Sequence, residues 1–311
     1  ATRKTKLSAK ARSLMRIEAT SPGCCGAEIL AIPGHARLCA RWMQLTRKAS
    51  LARRERNEDQ HFTLLNINNK NKRINKINLV CIFDGHGGKA VSKYLKYNLP
   101  PYFLKKNKNL DVFNEKKSII AYYFTKLFDN VQNKLKSQHP IISSRCGSTA
   151  LCGIHYVDKN NKQKLIMANV GDSRAVLCNG KNSAIPLTTD HKPNLPSERK
   201  RIEKLGGRIR FDGADWRIKD LSLSRAIGDL DTYPFVTHRP EIFRHSISRS
   251  DKFVIFACDG LWDVYSNQKA VNFVLKLLKS KYTGNIAKKL AESAIKEGSY
   301  DNVTVSILFL N

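Results

Sequence analysis

The sequence predicts an α+β fold in which a central antiparallel β-sandwich is flanked by pairs of α-helices, a four-layer α-β-β-α arrangement. Two observations lead to this prediction. Short apolar segments separated by turn signals recur without the regular strand–helix alternation of a parallel sheet. Segments with helical apolar spacing follow one another closely, which is typical of helices that pack side by side on a sheet.

The first predicted elements lie between residues 78 and 135. Residues 78–83 form a short apolar run typical of a buried strand, and residues 88–97 predict a helix that stops before two consecutive prolines. A longer helix is predicted over residues 114–135, because apolar side chains recur there at every third or fourth position. These helices are expected to lie side by side.

Three strands are predicted next, over residues 150–156, 164–170 and 174–178, and the turn signals between them predict an antiparallel meander. A short helix is predicted from Ser197, which has the side chain of an N-cap, to the glycine pair 206–207. The remaining predicted elements are a buried strand over 253–257, helices over 268–281 and 285–296, and a final strand over 303–310.

The amino-acid composition limits the classes of protein to which the chain can belong. The chain has 311 residues, of which 41% are hydrophobic, enough for a packed core. Its eight cysteines show no Cys-x-x-Cys spacing, so neither a zinc site nor a disulfide framework is indicated, and a reducing compartment, the cytoplasm or nucleus, is expected. No apolar run approaches the roughly 20 residues that a membrane span requires.

The formal net charge of +29 raises the alternative of a nucleic-acid-binding protein. From residue 57 onward, however, lysine accompanies asparagine, most densely over residues 66–78, which indicates compositional bias in loops. No basic motif interleaved with aromatic residues accompanies the charge, so no dedicated nucleic-acid site is expected.

The first 56 residues differ in composition from the rest. They contain no Asn, Asp, Phe or Tyr, and they hold 13 Lys and Arg against 3 Glu. A disordered extension, sequence foreign to the native protein and an organellar transit peptide are all compatible with this composition. We therefore divide the chain into a basic N-terminal extension over residues 1–49, expected to be flexible, and a catalytic domain over residues 50–311.

Acidic residues, scarce overall, occur at the ends of predicted strands. They are Glu58, Asp59, Asp84, Asp172, Asp259 and Asp301. Each alone could be an ordinary turn residue. Several carboxylates that converge on one cleft repel one another unless a cation neutralises them, and oxygen-only ligands favour Mg²⁺ or Mn²⁺ over zinc.

Eight motifs in this order make the chain similar to the metal-dependent protein phosphatases of type 2C, over about residues 50 to 311. The motifs are Arg54-x-x-Asn57-Glu58-Asp59, Asp84-Gly85-His86-Gly87-Gly88, Gly147-Ser148-Thr149-Ala150, Asn169-Val170-Gly171-Asp172-Ser173-Arg174, Asp190-His191-Lys192-Pro193, Ser224-Arg225-Ala226-Ile227-Gly228-Asp229, Asp259-Gly260-Leu261-Trp262-Asp263 and Ser299-Tyr300-Asp301-Asn302-Val303-Thr304.

The resemblance implies a centre of two Mg²⁺ or Mn²⁺ ions. Asp84 would be shared by both ions. Glu58 and the main-chain carbonyl of Gly85 would complete one site, and Asp259 with Asp301 the other. The remaining implied acids are Asp59, which would accept hydrogen bonds from metal-bound water, and Asp172, which would belong to a third, weaker metal site together with Asp259 and Asp263.

The resemblance also implies the reaction, the hydrolysis of phosphoserine and phosphothreonine by a hydroxide that the two metals activate. Arg54 would bind the phosphate oxygens as a planar fork. His86 would act as the general acid that protonates the departing serine or threonine oxygen, although it could instead orient a metal-bound water through a carboxylate. The motif Ser224 to Asp229 is interpreted as scaffold.

Phosphoprotein substrates are the partners that this interpretation predicts, for an enzyme expected to act as a monomer. Two alternatives come from other classes. A pseudophosphatase that regulates a partner would have lost metal ligands, and here every ligand is present. A basic scaffold could act at nucleic acid through residues 1–56. Import into an organelle is expected only if those residues are a transit segment.

Overall fold

The structure is a computed structural model that describes residues 29–31, 39–45, 57–67, 74–104, 110–158 and 160–310. The strands in these ranges are β1 Ile29–Ala31, β2 Cys39–Leu45, β3 Gln60–Ile67, β4 Ile74–Phe83, β5 Gly85–His86, β6 Gly147–Ser148, β7 Ala150–Asp158, β8 Gln163–Val170, β9 Arg174–Cys178, β10 Ala184–Pro186, β11 Arg210–Phe211, β12 Trp216–Arg217, β13 Ile227–Gly228, β14 Glu241–Ser246, β15 Phe253–Ala257 and β16 Val303–Phe309.

The α-helices of the described residues follow the same chain order. They are α1 Ala90–Asn98, α2 Pro100–Leu104, α3 Lys117–Gln138, α4 Pro140–Arg145, α5 Pro196–Lys204, α6 Asp259–Trp262, α7 Asn267–Lys279 and α8 Ile286–Lys296. Two short 3₁₀ helices cover Leu110–Asn114 and Leu230–Thr232. Among the described residues, no helix has both the length and the apolar character needed to cross a bilayer.

Two antiparallel sheets form the centre of the fold. One has the order β1-β2-β16-β15-β9-β10 and the other β14-β8-β7-β4-β3. A three-stranded sheet, β13-β6-β5, and the hairpin β11-β12 lie outside them. Every strand pair in these sheets is antiparallel, as predicted.

Three buried apolar clusters define the layers. Between the sheets, Val80 and Met167 of one sheet pack in a single cluster with Phe256 of the other. A second cluster joins the outer face of the sheet containing β4 to helices α1 and α3, and a third joins the outer face of the sheet containing β15 to α7 and α8. The predicted four-layer α+β fold is therefore confirmed.

The predicted meander over residues 150–178 is wrong at its third strand. β7 and β8 pair with each other, but β9 belongs to the other sheet, where it pairs with β15 and β10. The turn after β8 contains Gly171 at φ +104°, packed against Thr149, and it carries the chain from one sheet to the other. An apolar strand that is buried on both faces carries no local signal of which sheet it joins.

Two strands precede the predicted domain boundary. The backbone of β2 pairs with β16 from Leu45 opposite Val303 to Ala40 opposite Leu308, and β1 pairs with β2. Residues 39–45 thus join a central sheet from within the predicted basic extension. The boundary between residues 49 and 50 stays a prediction, and most of the extension lies outside the described residues.

The buried side chain of His155 on β7 is expected to make the folded protein less stable at acidic pH. Its Nδ1 lies 2.9 Å from Asn78 Nδ2 and its Nε2 lies 2.9 Å from Gln163 Oε1, contacts that suit a neutral ring with its proton on Nε2. Burial lowers the pKa of His155, although the contact with Gln163 acts in the opposite direction. The unfolded chain therefore takes up a proton near pH 6.5 that the folded protein does not accept at that pH.

We expect the contribution of His155 to the free energy of unfolding to fall as the pH drops below about 6.5 and to level off below the lowered pKa of the folded state. Urea denaturation at a series of pH values, for the wild type and for His155→Gln, measures this term as the difference between the two curves. Parallel curves would show that His155 makes no such contribution.

Candidate active site

The predicted carboxylates converge because they lie at the ends of neighbouring strands. Asp84 follows β4, Asp172 lies just beyond β8, and Asp259 and Asp301 flank the neighbouring strands β15 and β16. All four line one cavity of about 160 Å³, together with His86. The other lining residues are Thr149, Arg217, Asp220, Leu221, Ser222 and Leu223.

Asp84 lies at the centre of this acidic group. Its backbone is held by Thr149, whose hydroxyl accepts from the Asp84 N–H at 3.0 Å and whose N–H donates to the Asp84 carbonyl at 2.8 Å. Burial raises the pKa of Asp84 well above its ordinary value, and the charges of Asp59 and Asp259 raise it further. In the absence of a cation, therefore, the site disfavours the ionised form of Asp84.

Asp59 lies behind Asp84 and is fully buried. Its Oδ2 accepts from the Thr304 hydroxyl at 2.6 Å and from Cys258 Sγ at 3.3 Å. Burial raises the pKa of Asp59 to about 6, despite the opposing hydrogen bond from Thr304. Ligand atoms of Asp59, Asp84 and Cys258 all lie within 4.8 Å of one another.

Asp259 and Asp301 approach the cavity from the other sheet. Burial, followed by the charges of Asp172 and Asp301, raises the pKa of Asp259 well above its ordinary value. The Asp259 Oδ1 atom is buried and has no hydrogen-bond partner among the described residues. Asp301 Oδ1 accepts from the Asn302 N–H at 2.6 Å, which fixes the orientation of that carboxylate.

Glu58 and Gly85 meet through their backbones. The Ser92 hydroxyl donates to the Glu58 carbonyl, and the Glu58 N–H donates to Asn302 Oδ1 at 2.8 Å. A Cβ atom on Gly85 would lie 2.6 Å from the Glu58 carbonyl oxygen, so this close approach requires glycine. Neither residue is among those that line the cavity.

Asp172 has a basic partner that the sequence prediction did not identify. Lys192 Nζ donates to Asp172 Oδ2 at 2.5 Å, and only 2% of the Asp172 side chain is exposed. Burial alone would lower the pKa of Lys192, but the charges of Asp172 and Asp259 outweigh it and raise that pKa. An ammonium group therefore already offsets part of the negative charge here.

His86 also has a partner that the sequence prediction missed. Its Nε2 lies 2.6 Å from Oδ2 of Asp229, which is 4% exposed against 21% for His86. Burial alone would lower the pKa of His86, but the hydrogen bond and charge of Asp229 outweigh it and raise the pKa. Asp229 ends the motif that the sequence analysis interpreted as scaffold, and its side chain contacts a predicted site residue.

Two other supporting residues belong to motifs that the sequence analysis quoted without giving these residues a role. Thr149 and Thr304 hold Asp84 and Asp59, and the motifs did not indicate these contacts. Arg54, the predicted phosphate ligand, lies outside the described residues.

The donor set fits divalent cations. Every predicted metal ligand supplies oxygen, the ligand atom that Mg²⁺ and Mn²⁺ prefer. Burial, followed by the charges of neighbouring acids, raises the pKa of Asp84 and of Asp259, and a bound cation would oppose both effects. The Oδ1 atom of Asp259, which has no hydrogen-bond partner among the described residues, is a further buried acceptor that a cation would satisfy.

Residues 44–303 match the protein-family model described as protein phosphatase 2C. The chain belongs to the protein phosphatase 2C family. It is accordingly a phosphatase, and the family is metal-dependent. Bovine protein phosphatase 1L is 35% identical over 263 residues, which cover 82% of this chain and 69% of the bovine protein. A probable protein phosphatase 2C 59 of rice is 39% identical over 75% of this chain and 66% of its own length.

A further relative is viral, and solved structures share the fold. The PP2C-like domain-containing protein of Acanthamoeba polyphaga mimivirus is 42% identical over 179 residues, which cover 50% of this chain and 99% of the viral protein. A serine-threonine phosphatase 2C from Toxoplasma gondii aligns with a TM-score of 0.73 and 19% identity, over 93% of this phosphatase and all of that chain. This second likeness concerns the fold alone.

Gly147 provides a test of the His86–Asp229 pair in this phosphatase. A Cβ atom on Gly147 would collide with both Asp229 Oδ2 and His86 Nε2. Gly147→Ala is therefore expected to push the two side chains apart and, because His86 is the predicted general acid, to lower kcat by about tenfold to a hundredfold. Steady-state kinetics on a phosphothreonine peptide measure the loss. If Gly147→Ala has the same kcat as the wild type, the result would contradict a role of the His86–Asp229 pair in catalysis.

Proposed function

We propose that this phosphatase hydrolyses phosphoserine and phosphothreonine in proteins and that it binds two Mg²⁺ or Mn²⁺ ions. The observation that carries the proposal is the convergence of Asp84, Asp259 and Asp301 on one cavity, with raised pKa values for the first two. Such a group of buried acids is unfavourable unless cations neutralise it. A phosphate monoester, itself anionic, would be held beside those cations.

Two sets of ligands would hold the ions. Asp84 would be shared, Glu58 and the carbonyl of Gly85 would complete one site, and Asp259 with Asp301 would complete the other. When bound, the ions supply a hydroxide nucleophile from water at neutral pH and offset the charge of the transition state. Asp59 would accept hydrogen bonds from water in the centre, since its Oδ2 is held in place by Thr304.

His86 would protonate the serine or threonine oxygen as it leaves. With the Nε2 proton hydrogen-bonded to Asp229, the proton available for transfer is on Nδ1, and it is present only when the ring is doubly protonated. The charge of Asp229 favours that imidazolium form. Asp229 is thus proposed as the residue that positions His86 and stabilises its charge.

Arg54 and Asp172 complete the proposal. Arg54 would bind phosphate oxygens through its planar guanidinium group. Asp172, together with Asp259 and Asp263, would form a third, weaker metal site. Because Lys192 already donates to Asp172, a cation there would have to displace or share that contact.

Peptides of one sequence that carry phosphoserine, phosphothreonine or phosphotyrosine test the proposal. Phosphate release is measured with Mn²⁺, with Mg²⁺ and with a chelator. We expect hydrolysis of the first two peptides, its loss with chelator and its return when Mn²⁺ is added in excess. Hydrolysis that persists in chelator, or a preference for phosphotyrosine, would contradict the proposed function.

A further inference from the structure

Two depressions extend from the active-site cavity along the β11–β12 hairpin. The nearer one, about 410 Å³, shares Arg217 and Asp220 with the active-site cavity. The farther one, about 260 Å³, shares Arg210 and Lys219 with the nearer one. We call the two together the hairpin groove. Its other lining residues are Arg208, Phe211, Asp212, Ile218 and Phe235.

Three cations of the hairpin groove have no acidic partner among the described residues. Arg208, Arg210 and Lys219 are exposed, and in the part of the chain that the structure describes no carboxylate forms an ion pair with any of them. Among the described residues, Lys219 Nζ donates only to the main-chain carbonyl of Asp231. The groove therefore has positive charge that the protein leaves available.

The remaining charged groups of the groove are one arginine and three carboxylates, so they offset part of this positive charge. Arg217 forms ion pairs with Asp212 and, at 3.7 Å, with Asp215. Arg217 also donates to the main-chain carbonyl of Asp220 at 2.8 Å, which fixes it at the junction with the active-site cavity. With Asp220, which also lines the groove, the four cations of the groove stand against three carboxylates, so the groove has a net charge of +1.

Aromatic packing gives this part of the surface a defined shape. The rings of Phe211 and Trp216 lie 5.4 Å apart, and the Arg199 guanidinium lies 5.2 Å from the Trp216 ring. Ile218 beneath the hairpin is buried and packs in an apolar cluster with Ile202 and Val236. The basic side chains therefore project from a packed support, which lowers the entropy lost when they bind a ligand.

We propose that the hairpin groove binds aspartate and glutamate side chains that flank the phosphorylated residue of the substrate. The inference rests on the proposed function, because the flanking segment reaches the groove when its phosphate lies in the active-site cavity. Because the groove and the active-site cavity share Arg217 and Asp220, an extended peptide can occupy the groove and the cavity together. Arginine suits this ligand because its fork of N–H donors matches a carboxylate. The enzyme should therefore prefer acidic phosphopeptides.

Three phosphothreonine peptides test the preference, with glutamate, glutamine or lysine at the positions flanking one phosphothreonine. We expect kcat/KM for the acidic peptide to exceed that for the neutral one by about tenfold, from several exposed charge pairs of modest strength each. The lysine peptide should be the poorest substrate. The advantage should shrink when salt is raised from about 0.05 M to about 0.5 M.

The triple variant Arg208→Gln, Arg210→Gln, Lys219→Gln should bring the acidic-to-neutral ratio close to one. A matched control, Lys276→Gln, Lys279→Gln, Lys281→Gln, removes the same charge from exposed residues at the end of α7, outside the three cavities. The control should keep the ratio of the wild type. Thermal melting of each variant verifies that the domain is folded, and p-nitrophenyl phosphate turnover normalises the rates.

The outcomes separate a failure of the groove proposal alone from a failure of the proposed function. If the neutral peptide is hydrolysed with metal but the acidic one has no advantage, the groove proposal is overturned and the proposed function stands. If both triple variants lose the advantage of the acidic peptide equally, that advantage comes from the net charge of the protein, and the groove proposal is also overturned. If the folded, metal-supplied wild type hydrolyses none of the peptides, the proposed function fails and the groove proposal with it.

Discussion

Asp84→Asn should remove most of the activity while stabilising the metal-free protein. The activity should fall by on the order of 10³, because a metal contributes several kcal/mol of transition-state stabilisation and Asp84 is the ligand proposed for both ions. The metal-free protein should gain roughly 2–4 °C in Tm. The reason is that the change removes a buried acid, and both its burial and the charges of its neighbours oppose the ionisation of that acid. Phosphate release with Mn²⁺ and thermal melting in chelator measure the two effects.

A second readout of the same variant separates metal binding from folding. Mn²⁺ should raise the Tm of the wild type, since a ligand that binds only the folded state stabilises it, and the rise should be much smaller in Asp84→Asn. Asp158→Asn is a suitable control, because Asp158 also ends a strand but, among the described residues, accepts only from the backbone of a nearby turn. Full activity in Asp84→Asn would refute the proposed role of this carboxylate.

His86→Gln should slow hydrolysis most for the substrates whose leaving group needs a proton. The serine oxygen of a phosphopeptide would leave as a strongly basic alkoxide, so loss of a general acid should lower kcat by about 10²–10³. The nitrophenolate of p-nitrophenyl phosphate leaves without protonation, so its kcat should fall by less than about tenfold. The ratio of the two losses is the measurement.

His238 provides a matched control for this experiment. It forms the same kind of contact, with Asp129 Oδ1 at 2.8 Å from Nε2, but outside the active-site cavity. His238→Gln should leave the ratio of the two rates unchanged. Equal losses on both substrates in His86→Gln would indicate that His86 orients water or a metal ligand rather than supplying a proton.

Most of the long helices and strands were predictable from local patterns, although β3 and β14 were missed, and the strand partners were predictable only in part. Residues 253–257 are apolar throughout, and the structure has β15 there, buried along its whole length. The pattern over residues 174–178 predicted a strand but assigned it to the wrong neighbour, because β9 and β8 lie in different sheets. The order of strands in a sandwich depends on long-range packing, which short-range periodicity does not encode.

The same distinction applies to the site. Asp84, Asp259 and Asp301 were identifiable because each stands beside a predicted strand in a motif. The residues that hold the site together lie far away along the chain. Asp229 lies 143 residues from His86, and Thr304 lies 245 residues from Asp59. A lone contact across such a separation leaves no pattern in a single sequence, so the structure was needed to find these partners.

Anomalous diffraction from crystals of the protein grown with Mn²⁺ tests the central claim most directly, because it locates the ions themselves. We predict two strong peaks, both within coordination distance of the Asp84 carboxylate, about 2.2 Å, one also next to Glu58 and the Gly85 carbonyl and the other next to Asp259 and Asp301. Crystals of Asp84→Asn should show weak peaks or none. Mn²⁺ bound elsewhere, with no peak at Asp84, would contradict the account.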